Sequence, residues 1–112
     1  MKQLFLIRHA KSDWSTTLSD YYRPLNARGL RDSLKMGKRI HGFFGCPDII
    51  ISSGAKRASH TAELFAKELE FDVKNIYHND QLYHASSQDI IEVVNGIDEQ
   101  YKTAMLFSHN PG

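Results

Sequence analysis

The chain has 112 residues, 14 Lys and Arg against 13 Asp and Glu, and one Cys, for a formal net charge of +1. That length fits one domain and leaves no room for two. The balanced charge gives no bulk drive toward nucleic acid or an anionic membrane, and one Cys excludes a disulfide framework or a Cys-based zinc site. No apolar run approaches the roughly 20 residues that span a bilayer, and the apolar stretch after Met1-Lys2-Gln3 is too short for a signal-peptide core. A cytoplasmic protein with neither a nucleic-acid nor a membrane partner is expected.

The apolar pattern then alternates between two kinds of segment. Leu4-Phe5-Leu6-Ile7 is short and continuously apolar, as in a strand covered on both faces. A helical stripe follows over about residues 26–44, with Leu30, Leu34, Gly37, Ile40, His41 and Phe44, closed by Gly45 and Pro47. Ile49-Ile50-Ile51 predicts a second strand. Ala58, Ala62, Leu64, Phe65 and Leu69 predict a helix over about residues 55–69. A weaker third strand is expected from Val73 to Tyr77. Ile90, Ile91, Val93 and Val94 mark a third helix, started by Ser87 with Asp89 and ended by Gly96. Ala104-Met105-Leu106-Phe107 is the fourth strand. The order β-α-β-α-β-α-β, with right-handed crossovers, predicts a parallel sheet with helices on both faces.

Ligands of such sheets sit at the carboxyl ends of the strands. Arg8 and His9 follow the first strand, Ser52 and Ser53 with Arg57 follow the second, Tyr83 and His84 lie on the loop after the third, and Ser108, His109 and Asn110 follow the fourth. Histidines and arginines from distant points of the chain thus converge on one rim. Guanidinium forks match phosphate oxygens, and a neutral imidazole is a competent nucleophile toward phosphorus. No Gly-x-x-x-x-Gly-Lys-Ser/Thr loop is present, and nothing in the pattern requires a metal or other cofactor. Taken singly, the same residues have ordinary readings. Arg57 in a first helical turn commonly faces solvent, His109 fits a turn before Asn110-Pro111-Gly112, His41 reads as a packed or edge residue, His60 and His78 as surface residues, and Cys46 as a small buried or boundary residue.

In combination the segments carry more. Leu6-Ile7-Arg8-His9-Ala10-Lys11-Ser12 resembles the opening motif of the histidine phosphatase superfamily, which includes the phosphoglycerate mutases. Its Arg-His-Ala form resembles the short SixA-type phosphohistidine phosphatases. Arg23-Pro24-Leu25-Asn26-Ala27-Arg28-Gly29, the run from Ser52 through Arg57-Ala58 to His60-Thr61-Ala62, and Ser108-His109-Asn110-Pro111 resemble further motifs of the family in the same order. The resemblance implies a three-layer α/β/α sandwich with a mainly parallel, phosphoglycerate mutase-like sheet, and makes residues 1–112 a histidine phosphatase domain. It implies that His9 is the phosphorylated nucleophile, that Arg8, Arg57 and His109 complete the phosphate pocket, and that Ser15 stands where many relatives place a phosphate-touching Asn. Gly54 replaces the usual Pro, and His60 the usual Gln.

One departure bears on the substrate. In Leu82-Tyr83-His84-Ala85, His84 stands where relatives often carry the Glu that protonates the leaving group. An alkoxide leaving group needs strong proton donation, whereas an imidazole leaving group is far less basic. The pattern therefore favours hydrolysis of phosphohistidine on a partner protein over a sugar-phosphate ester, with His84 as the possible acid. The alternatives are a phosphomonoesterase of the same superfamily acting on a small phosphorylated substrate, and a catalytically weak phosphate-binding or interaction module. In the family's strand order the last two strands flank the first, and the sequence stops right after the second site histidine. A C-terminally truncated fold lacking its last strands and helix, with Leu4–Ile7 at an open edge, is expected.

Overall fold

A computed structural model describes residues 3–8, 27–83 and 85–108; of Arg8 it describes the backbone. Strand β1 (Gln3–Arg8) is followed by α1 (Ala27–Phe44), β2 (Ile49–Ser52), α2 (Lys56–Glu68), β3 (Tyr77–His78), α3 (Ser87–Asn95) and β4 (Thr103–Ser108). The four strands form one sheet of order β1-β4-β2-β3, with every pair parallel. The last strand in sequence therefore lies between the first and the second. Among the described strands β1 sits at the edge, as the family's strand order implied, and Leu4 and Leu6 are exposed there rather than covered as their apolar run suggested.

The uninterrupted apolar runs divide by alternation between two cores. Ile50, Met105 and Phe107 point to one face with Phe5 and Ile7 against them, and there they meet Ile40 of α1 and Ala62, Phe65 and Ala66 of α2. Ile49, Ile51, Ala104 and Leu106 point to the other face and meet Leu82 and Val93. This two-sided burial is what a parallel sheet demands, and it gives three layers: α1 and α2, the sheet, and α3. The Phe65 and Phe107 rings meet edge to face at 5.1 Å. At the start of the sheet, the Asp48 carboxylate accepts the Lys102 and Thr103 N–H groups at 2.8 and 3.1 Å, and the Asp48 N–H donates to the Thr103 carbonyl. One side chain thereby locks the entry of β4 to the entry of β2.

Helix α1 differs from the expected stripe. Its buried residues are Gly29, Ser33, Gly37 and Ile40, whereas Leu34 and Phe44 are exposed. The cause is close helix packing. A Cβ at Gly37 would come within 3.0 Å of the Glu68 Cβ, so small residues on α1 let the two backbones approach. Gly45 ends α1 in the left-handed region at φ 75°, its N–H donating to the His41 carbonyl.

Two further expectations shift. Residues 73–75 form a 3₁₀ turn rather than a strand, because the Asp72 carboxylate accepts the Lys74 N–H at 3.0 Å and favours the turn; the strand proper is only Tyr77–His78. Helix α3 begins at Ser87 as expected, but the capping side chain is Ser86: its hydroxyl accepts the Asp89 N–H and the Asp89 carboxylate accepts the Ser86 N–H. Of its predicted apolar face only Val93 is buried, and Ile91 is half exposed. Phe107, fully buried between β4 and α2, is the sharpest test of this packing. Phe107→Ala is expected to lower the unfolding free energy by about 3–5 kcal/mol, read as a shifted urea midpoint at unchanged m-value.

Candidate active site

The register of the sheet defines the rim. Arg8 pairs with Ser108, and Ser52 pairs with Phe107, so β1, β4 and β2 end at the same level. From these ends the chain passes directly into His9, His109 and Ser53. His9, Ser15, His84 and His109 lie outside the described residues. The structure thus brings together the points from which His9 and His109 depart, and it describes Arg57 in full.

The turn that delivers Arg57 is held from several sides. The Ser53 N–H donates to the Phe107 carbonyl at 3.0 Å, and the Asn79 N–H to the Ser52 carbonyl at 2.8 Å. The Ser52 hydroxyl donates to the Ser53 carbonyl, and the Ser53 hydroxyl accepts the Ala55 N–H. The Gly54 N–H donates to the Asp80 carboxylate at 2.9 Å. Asp80 is a rim residue that sequence reasoning passed over. Its neighbour Asn79, whose side chain accepts the Gln81 N–H, marked the local turn, but no short-range signal connects residue 80 to residue 54.

Arg57 itself reverses the ordinary reading of a first-turn arginine: it is 0% exposed. Helix α2 has no side-chain cap at Ala55. Arg57, buried and permanently charged, thus sits in the first turn of the helix that follows β2, and helix starts and guanidinium groups both favour anions. At the end of β4, the Ser108 hydroxyl is buried with no hydrogen-bond partner among the described residues. A buried hydroxyl without a partner is costly, and residue type alone did not single out Ser108.

The remaining candidates fall into place. His78 has a contact that was not anticipated, its Nε2 lying 3.4 Å from the Ser59 hydroxyl, and it is exposed at the end of β3. Cys46 is exposed rather than buried or at a boundary. Partial burial of its thiol, then the nearby Asp48 and Glu70 charges, push its pKa up, which makes it a poor nucleophile. Among the described residues no three His, Cys, Asp or Glu side chains cluster to hold a metal, and no helix is long and apolar enough to cross a membrane. A hollow of about 420 Å³ lined by Asp48, Phe71, Lys74 and Tyr101 lies at the opposite end of the sheet, where the strands begin.

The described residues define an α/β protein whose β1, β4 and β2 end at one level, with a buried arginine at the start of the helix that follows β2. Residues 4–103 match the histidine phosphatase superfamily, branch 1, and the chain belongs to that family. It is similar to an uncharacterised chloroplastic protein of Arabidopsis thaliana, 28% identical over 99% of this chain and 55% of that one. It is also similar to an uncharacterised Mycobacterium tuberculosis protein, 29% identical over 94% of this chain and 63% of that one. The chain therefore spans about 55–63% of the length of these curated relatives. Among solved structures, a candidate phosphohistidine phosphatase SixA from Agrobacterium tumefaciens superposes with a TM-score of 0.85 at 28% identity, over 96% of this chain and 68% of that one. A protein histidine phosphatase SixA complexed with tungstate gives 0.83 at 21% identity, over 96% and 69%. The fold is accordingly of the phosphoglycerate mutase type, and a Bacillus anthracis phosphoglycerate mutase aligns over 70% of this chain and 35% of that one, with a TM-score of 0.58 at 22% identity.

The cap that starts α3, just after His84 in sequence, is pH-sensitive. Hydrogen bonds from the Ser86 N–H, then from the Ser86 hydroxyl, hold the Asp89 carboxyl below the ordinary carboxylate pKa. A depressed folded-state pKa contributes stability that is present above the unfolded value and is lost as pH falls through the folded one. Thermal melts from about pH 6 to 2.5 are expected to show a smaller acid loss in Asp89→Asn than in the wild type; parallel curves would remove the effect.

Proposed function

We propose that this chain forms the phosphate-binding half of a phosphatase that hydrolyses phosphohistidine on a partner protein through a covalent phosphohistidine at His9. The observation that carries the reading is the full burial of Arg57 on a turn bonded to the end of β4, level with the paired ends Arg8 and Ser108. An imidazole nitrogen of His9 attacks phosphorus as the P–N bond to the substrate histidine breaks. Arg8, Arg57 and His109 carry the charge on the phosphoryl oxygens. Ser15 contributes a hydroxyl contact, and His84 donates the proton to the departing imidazole. Water then attacks the phosphorus on His9, the second P–N bond breaks, and inorganic phosphate leaves with His9 restored. The chemistry uses side chains alone and needs no metal.

Membership of the histidine phosphatase superfamily supports the phosphatase class. The name of the SixA chain that is 28% identical supports the choice of phosphohistidine, as does the histidine at position 84 where an acid would serve an alkoxide. In the cell, such an enzyme would act in the cytoplasm on phosphorelay or phosphotransferase proteins.

Incubation of the full protein with ³²P-phosphohistidine protein and rapid acid-free quenching is expected to trap label on the enzyme. His9→Ala abolishes both label and turnover. Label retained in His9→Ala sinks the mechanism, and phosphate binding without any label would leave a binding module. A higher kcat/KM on small phosphate esters than on phosphohistidine protein would make the enzyme a phosphomonoesterase. Arg57→Lys is expected to lower kcat/KM by about 10- to 100-fold, the worth of a lost charge-assisted hydrogen bond of ~1.5–3 kcal/mol. His84→Ala is expected to slow alkyl phosphate hydrolysis more than phosphohistidine hydrolysis, because the strongly basic alkoxide is the leaving group that depends on the acid.

A further inference from the structure

Helix α1 carries a charge distribution that neither the fold nor the phosphate site uses. Arg28, Arg31, Lys35, Lys38 and Arg39 are all exposed. At about 100° per residue they fall within an arc of roughly 100° directly opposite the buried face of Gly29, Ser33, Gly37 and Ile40. Five cations against Asp32 give this helix +4, while the rest of the chain, with nine cations and twelve carboxylates, carries −3. The near-neutral total thus hides a strongly basic stripe about 16 Å long.

The stripe works against the helix that bears it. Arg31–Lys35 and Lys35–Arg39 are like-charge pairs four residues apart, and each destabilises a helix by a few tenths of a kcal/mol. Arg28 sits in a first turn that has no acidic residue, at the positive end of the helix dipole. The compensating ion pair, Arg28 with Asp32 at 3.7 Å, is 70% and 59% exposed and contributes little. A local conflict of this kind points to a use elsewhere.

Topology says where that use lies. Helix α1 leads into β2 and α2 leads into β3, two parallel strands of one sheet, and the helices pack together, so they run side by side in the same direction. Gly37 of α1 packs at Glu68, the last residue of α2. Ala27 lies ten residues before Gly37, and Lys56 twelve before Glu68. At 1.5 Å per residue their starts stand within about 3 Å of the same height. Arg28 and Arg31 therefore stand at the end of the molecule where Arg57 meets the strand ends, and the other cations continue down the outer layer.

We propose that the exposed face of α1 docks an acidic segment of the phosphohistidine protein, steering the phosphorylated residue toward the rim. A short acidic protein segment matches the stripe in length and sign. A long polyanion such as DNA would also meet the net negative charge of the rest of the chain. The inference rests on the phosphohistidine reading of the site. It is tested with two synthetic phosphohistidine peptides of equal length, one flanked by six glutamates and the other by six glutamines, and with phosphoramidate as a small substrate. In the full protein, kcat/KM on the acidic peptide is expected to exceed that on the neutral one by about tenfold at low salt, with the difference vanishing near 0.5 M salt. In R31E/K35E/K38E, and in the milder R31Q/K35Q/K38Q, the preference disappears while phosphoramidate turnover is unchanged. Equal rates on the two peptides, a preference that survives charge reversal, or tighter binding of duplex DNA than of the acidic peptide overturns the docking surface while leaving the site intact. No turnover of either peptide or of phosphoramidate overturns the reading of the site and the docking surface with it.

Discussion

Everything at the rim depends on the place of β4 between β1 and β2. It is the last strand in the sequence, and it is hydrogen-bonded on both sides to strands that begin at Gln3 and Ile49. Arg8 and Ser108 are neighbours only because this strand was inserted in that position and in that register. A one-residue slip would move every side chain of β4 to the opposite face, exchanging Met105 and Phe107 with Ala104 and Leu106 between two cores of different shape. The packing thus enforces the register, and the Asp48 carboxylate fixes it again at the start of the strand. Such pairing is slow to reach, because it closes a loop of about a hundred residues, but once formed it aligns three strand ends at one level.

On that level, burial gives the chemistry its direction. A guanidinium held away from water interacts more strongly with a phosphoryl group than an exposed one would, because less solvent screens the interaction. The turn that carries Arg57 is tied to β4 through Ser53, to the start of the β3–α3 connection through Asn79 and Asp80, and to itself through two serine hydroxyls. In the proposed reaction, holding Arg57 on so many bonds reduces the reorganisation required when charge develops on the phosphoryl oxygens. The fold thus places a densely hydrogen-bonded turn directly before Arg57.

Much of this was legible in the sequence. Ile49–Ile51 and Ala104–Phe107 read as doubly covered strands because parallel sheets leave no face for polar residues, and both proved buried. The alignment of the ends of β1, β2 and β4, from which the predicted site segments depart, followed from strand-end logic. What could not be read were effects of close approach and long-range bonding. Gly37 and Ile40 of the expected stripe do line the inner face of α1, but Gly29 and Ser33 beside them carry little hydrophobic signal, so the stripe took in the exposed Leu34 and Phe44 instead. Val73–Asn75 has strand-like neighbours but turns because of one Asp72 side chain. Asp80 and Ser108 gained their places from partners or surroundings far away in the chain. For His9, Ser15, His84 and His109 the expectations from sequence stand as proposals.

The position of β1 has a consequence for how the sheet opens. Among the described strands it is hydrogen-bonded to β4 alone, and Leu4 and Leu6 are substantially exposed on its α3-side face. Detaching it breaks one ladder and withdraws Phe5 and Ile7 from the Ile50–Phe65–Phe107 core while leaving the other ladders in place, so it requires less free energy than global unfolding. That partial opening nonetheless separates Arg8 from Ser108. The level on which the ends of β1 and β4 meet is therefore only as secure, among the described strands, as the single ladder between them.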